Sequence, residues 1–292
     1  MTMLLIALIA SIVFLSILFF VKYSNESWGD GVSSLYFGHS INLSNNTGVS
    51  ESAITVLSGN NVYVVWQDNS TGNGDIYFRR SIDGGHIFDD ILNISNNSGS
   101  SQTPQIAVSG NNVYVVWQDN STGNGDIYLK GSFNNGENFT KRRNISDDPG
   151  SSQLPQIAVS ENNTKVIWIN SNGTSSSVFS KSGNMTQLRG LQKFASGTDT
   201  ESLKLKASDE NVFAVWTSDL GNRQVIMFNH FSFSRQDPEE LVLSNVNGSS
   251  SSPSISTFGP NTFVVWQDNS TGSSDVYVKK ISSTFFERDI KK

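Results

Sequence analysis

The sequence contains no cysteine, only three histidines and only six prolines among its 292 residues. The absence of cysteine excludes disulfide scaffolds, thiol nucleophiles and cysteine-based zinc sites. Charged residues make up 16% of the chain, against about 25% in an average soluble domain. Acidic residues outnumber basic ones by 26 to 20, which gives a net charge of −6. A chain without a basic surplus lacks the electrostatic footprint of a nucleic-acid-binding protein, so no nucleic-acid partner is expected.

Small polar residues dominate the remaining composition, since Asn, Ser, Thr and Gly together make up about two-fifths of the chain. Hydrophobic residues nevertheless reach 36%, including 18 Phe, 7 Tyr and 6 Trp. This aromatic content is too high for a disordered polar chain. The composition therefore predicts a folded domain with an apolar core.

The amino terminus carries one long hydrophobic run, residues 4–21, without a charged side chain. Its 18 residues are just long enough to cross a hydrocarbon layer of about 30 Å as a helix. A basic start and a small-residue cleavage site are both missing, which favours an uncleaved anchor over a cleaved secretion signal, the alternative. The sequence predicts a transmembrane signal anchor over 1–22, a linker over 23–38, and an exported bulk anchored to the membrane.

The motif Asn-x-Ser/Thr occurs 14 times between Asn25 and Asn269. This is about twice the number that the composition gives by chance. The enrichment supports an extracellular location and a surface-exposed glycoprotein, although copied repeats contribute to the number and glycosylation itself stays open.

An internal repeat organises the rest of the chain. Residues 59–78 and 110–129 are identical at 19 of 20 positions, at an offset of 51. The repeated tryptophans are Trp66, Trp117, Trp168, Trp216 and Trp266, at spacings of 51, 51, 48 and 50. A period near 50 with a repeated aromatic strand is typical of β-propellers. We expect these tryptophans to pack between sheets, with a sugar-stacking platform as the alternative.

Each unit contains four short β-type runs bounded by turn residues. In the second unit they cover residues 105–109, 113–118, 126–131 and 143–146. The second run is apolar on both faces, as a sheet between two neighbouring sheets requires. The predicted fold is all-β: a five-bladed β-propeller of four-stranded antiparallel blades over 39–286, with a tail over 287–292. The segment 41–44 resembles a fourth strand, so we expect it to complete the fifth blade and close the ring.

A second motif, S-x-D-x-G-x-x-F, follows the third run of the first two units. Its residues are Ser81, Asp83, Gly85 and Phe88 in the first copy and Ser132, Asn134, Gly136 and Phe139 in the second. The motif resembles the Asp-box, or BNR repeat, of sialidase-like β-propellers. The resemblance implies a turn in which the Asp side chain binds backbone N–H groups, glycine adopts positive φ and the aromatic ring packs on the sheet.

The chain departs from sialidases of this superfamily in its arginines. The innermost runs contain none, and the Phe/Tyr-Arg-Ile-Pro motif is missing. Near-identical units also suit a quasi-symmetric binding surface better than a catalytic centre, which needs two carboxylates in different roles. We therefore expect a non-catalytic binding or surface-scaffold module for a glycan or surface protein. The alternatives are a glycoside hydrolase or lyase with a non-standard active site and a structural surface-layer protein.

An acidic loop joins the second and third runs of units one, two and five. The candidate residues for ligand or Ca²⁺ binding are Asp68, Asp75, Asp119, Asp126, Asp268 and Asp275. Carboxylate, amide and hydroxyl oxygens are ligands that Ca²⁺ accepts. The same residue types are required by an ordinary hairpin turn, and the turn is the favoured interpretation.

Overall fold

The computed structural model describes residues 38–147, 149–173, 175–184, 186–196, 202–208, 211–233, 240–245, 247–258 and 261–282. The predicted membrane anchor over 1–22 and the tail over 287–292 lie outside these residues. Within them, no helix is long and apolar enough to span a membrane. The chain divides into two compact units, residues 1–42 and residues 43–292. The described end of the first unit, residues 38–42, contains no helix or strand.

The second unit is all-β and consists of five antiparallel sheets, as the sequence predicts. Sheet I contains β1 (Ser50–Ser58), β2 (Asn61–Asp68), β3 (Asp75–Ser81) and β4 (Leu92–Asn93). Sheet II contains β5 (Ser101–Ser109), β6 (Asn112–Asp119), β7 (Asp126–Ser132) and β8 (Arg143–Asn144). Sheet III contains β9 (Ser151–Ser160), β10 (Asn163–Ser171), β11 (Ser176–Asn184) and β12 (Gln187–Ser196). Sheet IV contains β13 (Leu203–Ser208), β14 (Asn211–Leu220), β15 (Arg223–Ser232) and β16 (Leu241–Val242). Sheet V contains β17 (Ser250–Phe258), β18 (Asn261–Asp268) and β19 (Asp275–Ser282).

Within each sheet the strands follow one another in chain order, each paired with the next by an antiparallel ladder. The first strands of consecutive sheets also contact each other: β1 lies against β5, β5 against β9, β9 against β13, and β13 against β17. Sheet number and strand order are consistent with a five-bladed propeller.

The cores lie between consecutive sheets, because the second strand of each sheet is apolar on both faces. Between sheets I and II, Tyr63 and Phe78 of sheet I pack with Val113 and Trp117 of sheet II, all at most 1% exposed. Equivalent clusters join sheets II and III, III and IV, and IV and V. Burial of one such large apolar side chain contributes about 1.5–3 kcal/mol, so these four interfaces are the main source of stability.

The prediction that a strand at 41–44 completes sheet V is wrong in the described residues. Residues 38–49 contain no strand, and sheet V has three strands instead of four. None of the described core clusters joins sheet V to sheet I. The physical reason is that sheet I holds this part of the chain: the Leu43 carbonyl oxygen accepts a hydrogen bond from Arg79 Nη1 at 3.1 Å, and Asn46 Nδ2 donates to Asp68 Oδ2 at 2.8 Å.

Candidate functional site

The six aspartates of the acidic loops lie at the ends of two strands in three sheets. Asp68, Asp119 and Asp268 end the second strand and are at most 2% exposed. Asp75 and Asp126 begin the third strand and are buried as well, whereas Asp275 is exposed. Sheets I and II are neighbours that share a core, whereas none of the described core clusters joins sheet V to sheet I.

Asp119 shows what these carboxylates do. Its Oδ2 accepts hydrogen bonds from Asn97 Nδ2 at 2.6 Å and from Ser101 Oγ at 2.7 Å. Its Oδ1 accepts one from the backbone N–H of Ser121 at 2.9 Å. The Trp117 indole also donates to Oδ2, at 3.3 Å. Asp119 therefore holds together the segment before β5, the start of β5 and the loop after β6.

The same arrangement recurs at Asp68, which accepts from Asn46, Ser50 and the N–H of Ser70. Burial would raise the pKa of Asp68, but these hydrogen bonds outweigh it and hold the pKa well below its usual value. The pKa values of Asp119 and Asp268 are lowered by the same balance. All three carboxylates are therefore charged structural acceptors at neutral pH.

Asp75 plays a related role at the start of β3. It accepts from Thr71 Oγ1 at 2.7 Å, Ser95 Oγ at 2.7 Å and Asn93 Nδ2 at 2.9 Å. In the described part of the chain, no group of three or more His, Cys, Asp or Glu side chains could hold a metal ion. A cation at these loops would have to displace the protein donors. Ca²⁺ or ligand binding there stays a prediction.

The five repeated tryptophans are buried, with exposures between 0% and 6%. Four of them stack on an aromatic ring of the neighbouring strand, as Trp117 does on Tyr128 with ring centroids 6.1 Å apart. Trp117, Trp168, Trp216 and Trp266 each belong to the cluster between their own sheet and the preceding one. In these positions their rings are covered by protein rather than open to a sugar.

The turns after β3 and β7 have the hydrogen bonds expected from the motif. Asp83 Oδ1 accepts from the N–H groups of His86 and Ile87 at 3.0 and 2.9 Å, and Ser81 Oγ accepts from Gly85 N at 2.9 Å. These bonds lower the pKa of Asp83. In the second copy Asn134 accepts from the N–H of Asn138 at 3.0 Å. The turns place the following loops at the sheet end opposite the acidic loops, because successive hairpins alternate ends.

A groove of about 470 Å³ lies between these two turns. Its apolar wall is formed by Phe78, Ile87, Phe88 and Leu92, and the backbone of Gly136 closes one side. Three carboxylates and one guanidinium complete the lining: Asp89, Asp90, Glu137 and Arg80. Glu137 comes from sheet II and the other charged residues from sheet I, so the groove combines acidic side chains from two sheets.

Arg80 contacts protein groups of both sheets through its Nε and Nη1 atoms. Its Nε forms an ion pair with Asp89 Oδ2 at 2.5 Å. Its Nη1 donates to the carbonyl oxygens of Asn135 at 2.9 Å and Asn134 at 3.3 Å. The guanidinium side chain is only 15% exposed, whereas Asp89 is 47% exposed. The charge of Arg80 is therefore neutralised by Asp89, and Asp90 and Glu137 are left as the acidic groups of the groove.

The groove was not predicted from the sequence, although a difference between the loops of the first two units indicates it. The first two units are nearly identical up to the end of the third strand and then diverge: residues 82–91 read IDGGHIFDDI and residues 133–142 read FNNGENFTKR. Asp90 corresponds to Lys141, and Glu137 corresponds to His86. The copied strands therefore carry different loops, which provides the asymmetry that a catalytic site requires.

Comparison with known proteins gives similarity in structure alone. No family model and no curated protein matches the sequence. The solved structure of polysaccharide lyase Uly1 matches with a TM-score of 0.55 at 10% identity, covering 79% of this chain and 57% of that chain. The endo-arabinase of Bacteroides thetaiotaomicron matches at 0.48 and 10% identity, covering 84% and 98%. A family 117 glycoside hydrolase of Zobellia galactanivorans matches at 0.46 and 11% identity, covering 83% and 86%. At this identity the match to Uly1 shows a likeness in fold alone.

The expectation of a non-catalytic binding or scaffold module, and with it the preference against an enzyme, is wrong. Uly1, which matches with a TM-score above 0.5, is a polysaccharide lyase rather than a binding module. Near-identical strands do not imply identical loops here, because the loops that line the groove differ in sequence between the first two units. The repeat therefore does not exclude an asymmetric catalytic site.

Proposed function

We propose that this chain is a glycoside hydrolase with a non-standard active site, on a sialidase-like five-bladed propeller that carries Asp-box turns. The observation that carries the proposal is the groove between sheets I and II, whose carboxylates come from two different sheets. Hydrolysis of a glycosidic bond uses two carboxyl groups, one as general acid and one as base or nucleophile. Asp90 and Glu137 are the candidate pair.

The first strands of the five sheets offer no comparable pair. Across the described first strands, Glu51 is the one acidic residue. Glu51 also accepts a hydrogen bond from Gln67 Nε2 at 3.1 Å, within its own sheet. The groove, and not the set of first strands, therefore supplies the two carboxylates that the proposed hydrolysis requires.

The size and walls of the groove suit a sugar. Ligand sites commonly enclose about 300–1,000 Å³, and the groove volume lies within that range. Ile87 is 72% exposed and Leu92 37%, so the groove presents apolar surface to solvent. Phe88 lies beside them in the same wall. Apolar and aromatic walls cover the C–H faces of sugar rings, while the carboxylates reach the hydroxyl groups and the glycosidic oxygen.

The negative charge of the groove favours uncharged polysaccharides over acidic ones as substrates. Three carboxylates face one guanidinium, and that guanidinium is already paired with Asp89. A sialic acid or uronate carboxylate would enter without a free cation to receive it and would be repelled by Asp90 and Glu137. Uncharged polysaccharides are the expected substrates. Eliminative cleavage, which acts on uronates, is disfavoured for the same reason.

The test is a reducing-end assay on uncharged polysaccharides, arabinan among them, with the full-length protein and its variants. Asp90→Asn and Glu137→Gln should each lower the rate by about 10²–10⁴-fold, the usual contribution of a general acid or base. Glu51→Gln is the matched control and should leave the rate within twofold. Loss of activity in Glu51→Gln instead would place the reaction at the first strands. Absence of hydrolysis on every polymer, or ultraviolet-absorbing unsaturated products from uronate polymers, would contradict the proposal.

A further inference from the structure

The loop that carries Asp90 is held by Arg80. The Arg80 Nε forms an ion pair with Asp89 Oδ2 at 2.5 Å, and the backbone N–H of Asp89 donates to the Arg80 carbonyl oxygen at 2.8 Å. Asp90 is the next residue along the chain. Side-chain and backbone contacts with Arg80 therefore fix the loop immediately before Asp90.

The turn that carries Glu137 is held by the same guanidinium. Arg80 Nη1 donates to the carbonyl oxygens of Asn135 at 2.9 Å and of Asn134 at 3.3 Å. These two asparagines follow β7 of sheet II and come shortly before Glu137 in the chain. The rigid planar fork of an arginine directs its N–H groups to several acceptors at once. Arg80 therefore connects the loop before Asp90 to the turn before Glu137.

The second copy of this loop lacks the side-chain connection. Gly131 takes the position of Arg80, because each is paired across the ladder with the tyrosine of the same repeated strand. The backbone bond is kept, since the N–H of Thr140 donates to the Gly131 carbonyl oxygen at 2.8 Å. A glycine has no side chain that could reach the next sheet. Of the two near-identical units, only the one whose loop carries Asp90 has an arginine that bonds to its neighbour's turn.

Two other polar contacts reach the same turn from sheet I, and both are longer. Asn61 Nδ2 and Tyr63 Oη each lie 3.4 Å from Asn135 Oδ1. The Arg80 side chain is 15% exposed, so solvent screens its hydrogen bonds less than it would at an open surface. A hydrogen bond from a charged guanidinium is also stronger than a long contact between neutral groups. Arg80 therefore supplies the strongest of these polar links across the groove.

We infer that Arg80 is a positioning residue that holds Asp90 and Glu137 at a fixed separation across the groove. The inference rests on the proposed function, in which these two carboxylates carry out the hydrolysis. Carboxyl groups about 5–5.5 Å apart give retention of configuration, whereas groups about 6.5–9.5 Å apart leave room for a water and give inversion. A displacement of about 1 Å can lower a catalytic rate by about 10²-fold. A side chain that bonds to both loops keeps the separation constant.

The first test measures the separation of the two loops without replacing either carboxylate. The full-length chain has no thiol of its own. Ile91→Cys and Asn138→Cys together place one thiol beside Asp90 and one beside Glu137, both at exposed positions. Nitroxide labels on the two thiols are read by electron paramagnetic resonance. We expect Arg80→Gln to shift or broaden the distribution of distances between the labels, because it removes the link between the loops.

Arg143→Gln is the matched control for the loss of an arginine between two sheets. Arg143 Nη1 donates to the carbonyl oxygen of Thr186 at 2.8 Å, so it connects sheet II with the turn between β11 and β12 of sheet III. This variant should leave the label distances unchanged. Thermal unfolding identifies a variant that fails to fold; Arg80→Lys, which keeps the cation but not the fork, then replaces Arg80→Gln.

The second test measures hydrolysis of uncharged polysaccharides. Arg80→Gln should lower kcat by about 10–10²-fold and change KM by less than about threefold, because the groove keeps its walls while the carboxylates lose their alignment. A chain with both Arg80→Gln and Asp89→Asn regains the charge balance of the groove and should be as slow as Arg80→Gln alone. Arg143→Gln should keep kcat within about twofold.

The outcomes separate this inference from the proposed function. Label distances that do not change in Arg80→Gln, while Asp90→Asn abolishes hydrolysis, would overturn the inference and leave the proposed function standing. Recovery of kcat in the chain with both Arg80→Gln and Asp89→Asn would also overturn it, because the charge of Arg80 and not its link would then matter. A broadened distance distribution in a protein that hydrolyses no polysaccharide would support the link and contradict the proposed function.

Discussion

Asn97 Nδ2 donates a 2.6 Å hydrogen bond to Asp119 Oδ2, and this contact joins the segment that leaves sheet I to the second strand of sheet II. Asn46 and Asp68 repeat the contact at 2.8 Å one sheet earlier. The acidic-loop aspartates thus help to fix where sheets I and II begin.

We expect Asp119→Ala to lower the free energy of unfolding by about 2–4 kcal/mol, because it leaves the buried Ser101 hydroxyl and Trp117 indole without their acceptor. Asp275→Ala is the matched control. Asp275 is also an acidic-loop aspartate, but its side chain is exposed. Its removal should therefore change the free energy of unfolding by less than about 0.5 kcal/mol. Chemical denaturation followed by tryptophan fluorescence measures both. Equal effects for the two variants would contradict the structural role of Asp119.

Stability should fall in acid because of three carboxylates. The pKa values of Asp68, Asp119 and Asp268 are lowered in the folded protein. A lowered folded pKa gives stability that is complete above the unfolded value, about 4, and is lost as the pH falls through the folded pKa. We expect denaturation midpoints to be flat from pH 7 to 5 and to drop below pH 4. In the variant with all three aspartates changed to asparagine, the denaturation midpoint should depend less on pH below pH 4. An unchanged pH dependence would show that these three carboxylates do not cause the loss of stability in acid.

Lys165 is a buried cation between sheets III and IV. It is 0% exposed, donates to Ser182 Oγ at 2.9 Å and lies 4.6 Å from the Phe231 ring centroid. Burial lowers its pKa to about 8. Because the unfolded pKa is about 10.4, the unfolded chain binds more protons between pH 8 and 10.4, and stability rises with pH there.

Lys165→Met should therefore stabilise the protein at pH 7, by about 1–3 kcal/mol, since it removes the need to bury a charge. The advantage should shrink as the pH rises from 8 to 10. Lys204→Met, at an exposed strand position, is the control and should be neutral at every pH. A destabilised Lys165→Met protein would show that the contacts with Ser182 and Phe231 outweigh the burial of the charge.

Gly85 and Gly136 occupy the same position in two copies of one turn, with φ of +91° and +79°. Alanine at either glycine strains the backbone, but only at position 136 does its methyl group meet the Phe78 ring. Gly136→Ala should thus destabilise by about 1–3 kcal/mol more than Gly85→Ala. Thermal unfolding measures the difference. Equal losses would mean that Phe78 moves aside at no energetic cost.

The interpretation of the acidic loops as turns, in which the oxygens of Asp68 and Asp119 accept protein hydrogen bonds, predicts the same thermal midpoint in Ca²⁺ and in a chelator. A ligand that binds only the folded state must raise the midpoint. A rise at millimolar Ca²⁺ that disappears in the combined Asp68→Ala, Asp119→Ala and Asp268→Ala variant would instead establish the loops as metal sites.

Much of the local structure follows from the sequence. The five tryptophans mark the five sheets, and the strands predicted for the second unit lie within β5, β6, β7 and the segment around β8. The resemblance to the Asp-box implies the turn at Asp83, whose Ser, Asp and Gly residues lie within five positions of one another. These features depend on residues close together in the chain.

The groove and the burial of the repeated strands depend on residues far apart in the chain. Glu137 and Asp90 line one groove because sheets I and II pack together, and no short-range pattern in the sequence indicates this. Likewise, β2 and β6 have the same sequence, yet Val113 is buried and Val62 is partly exposed, because sheet I packs on that face of β6, whereas none of the described core clusters contains Val62. The sequence by itself determined the strands, the turns and the number of sheets, through local periodicity and turn chemistry. Only the tertiary structure decided which identical surfaces are covered and which carboxylates converge, since burial depends on the neighbour and not on the residue.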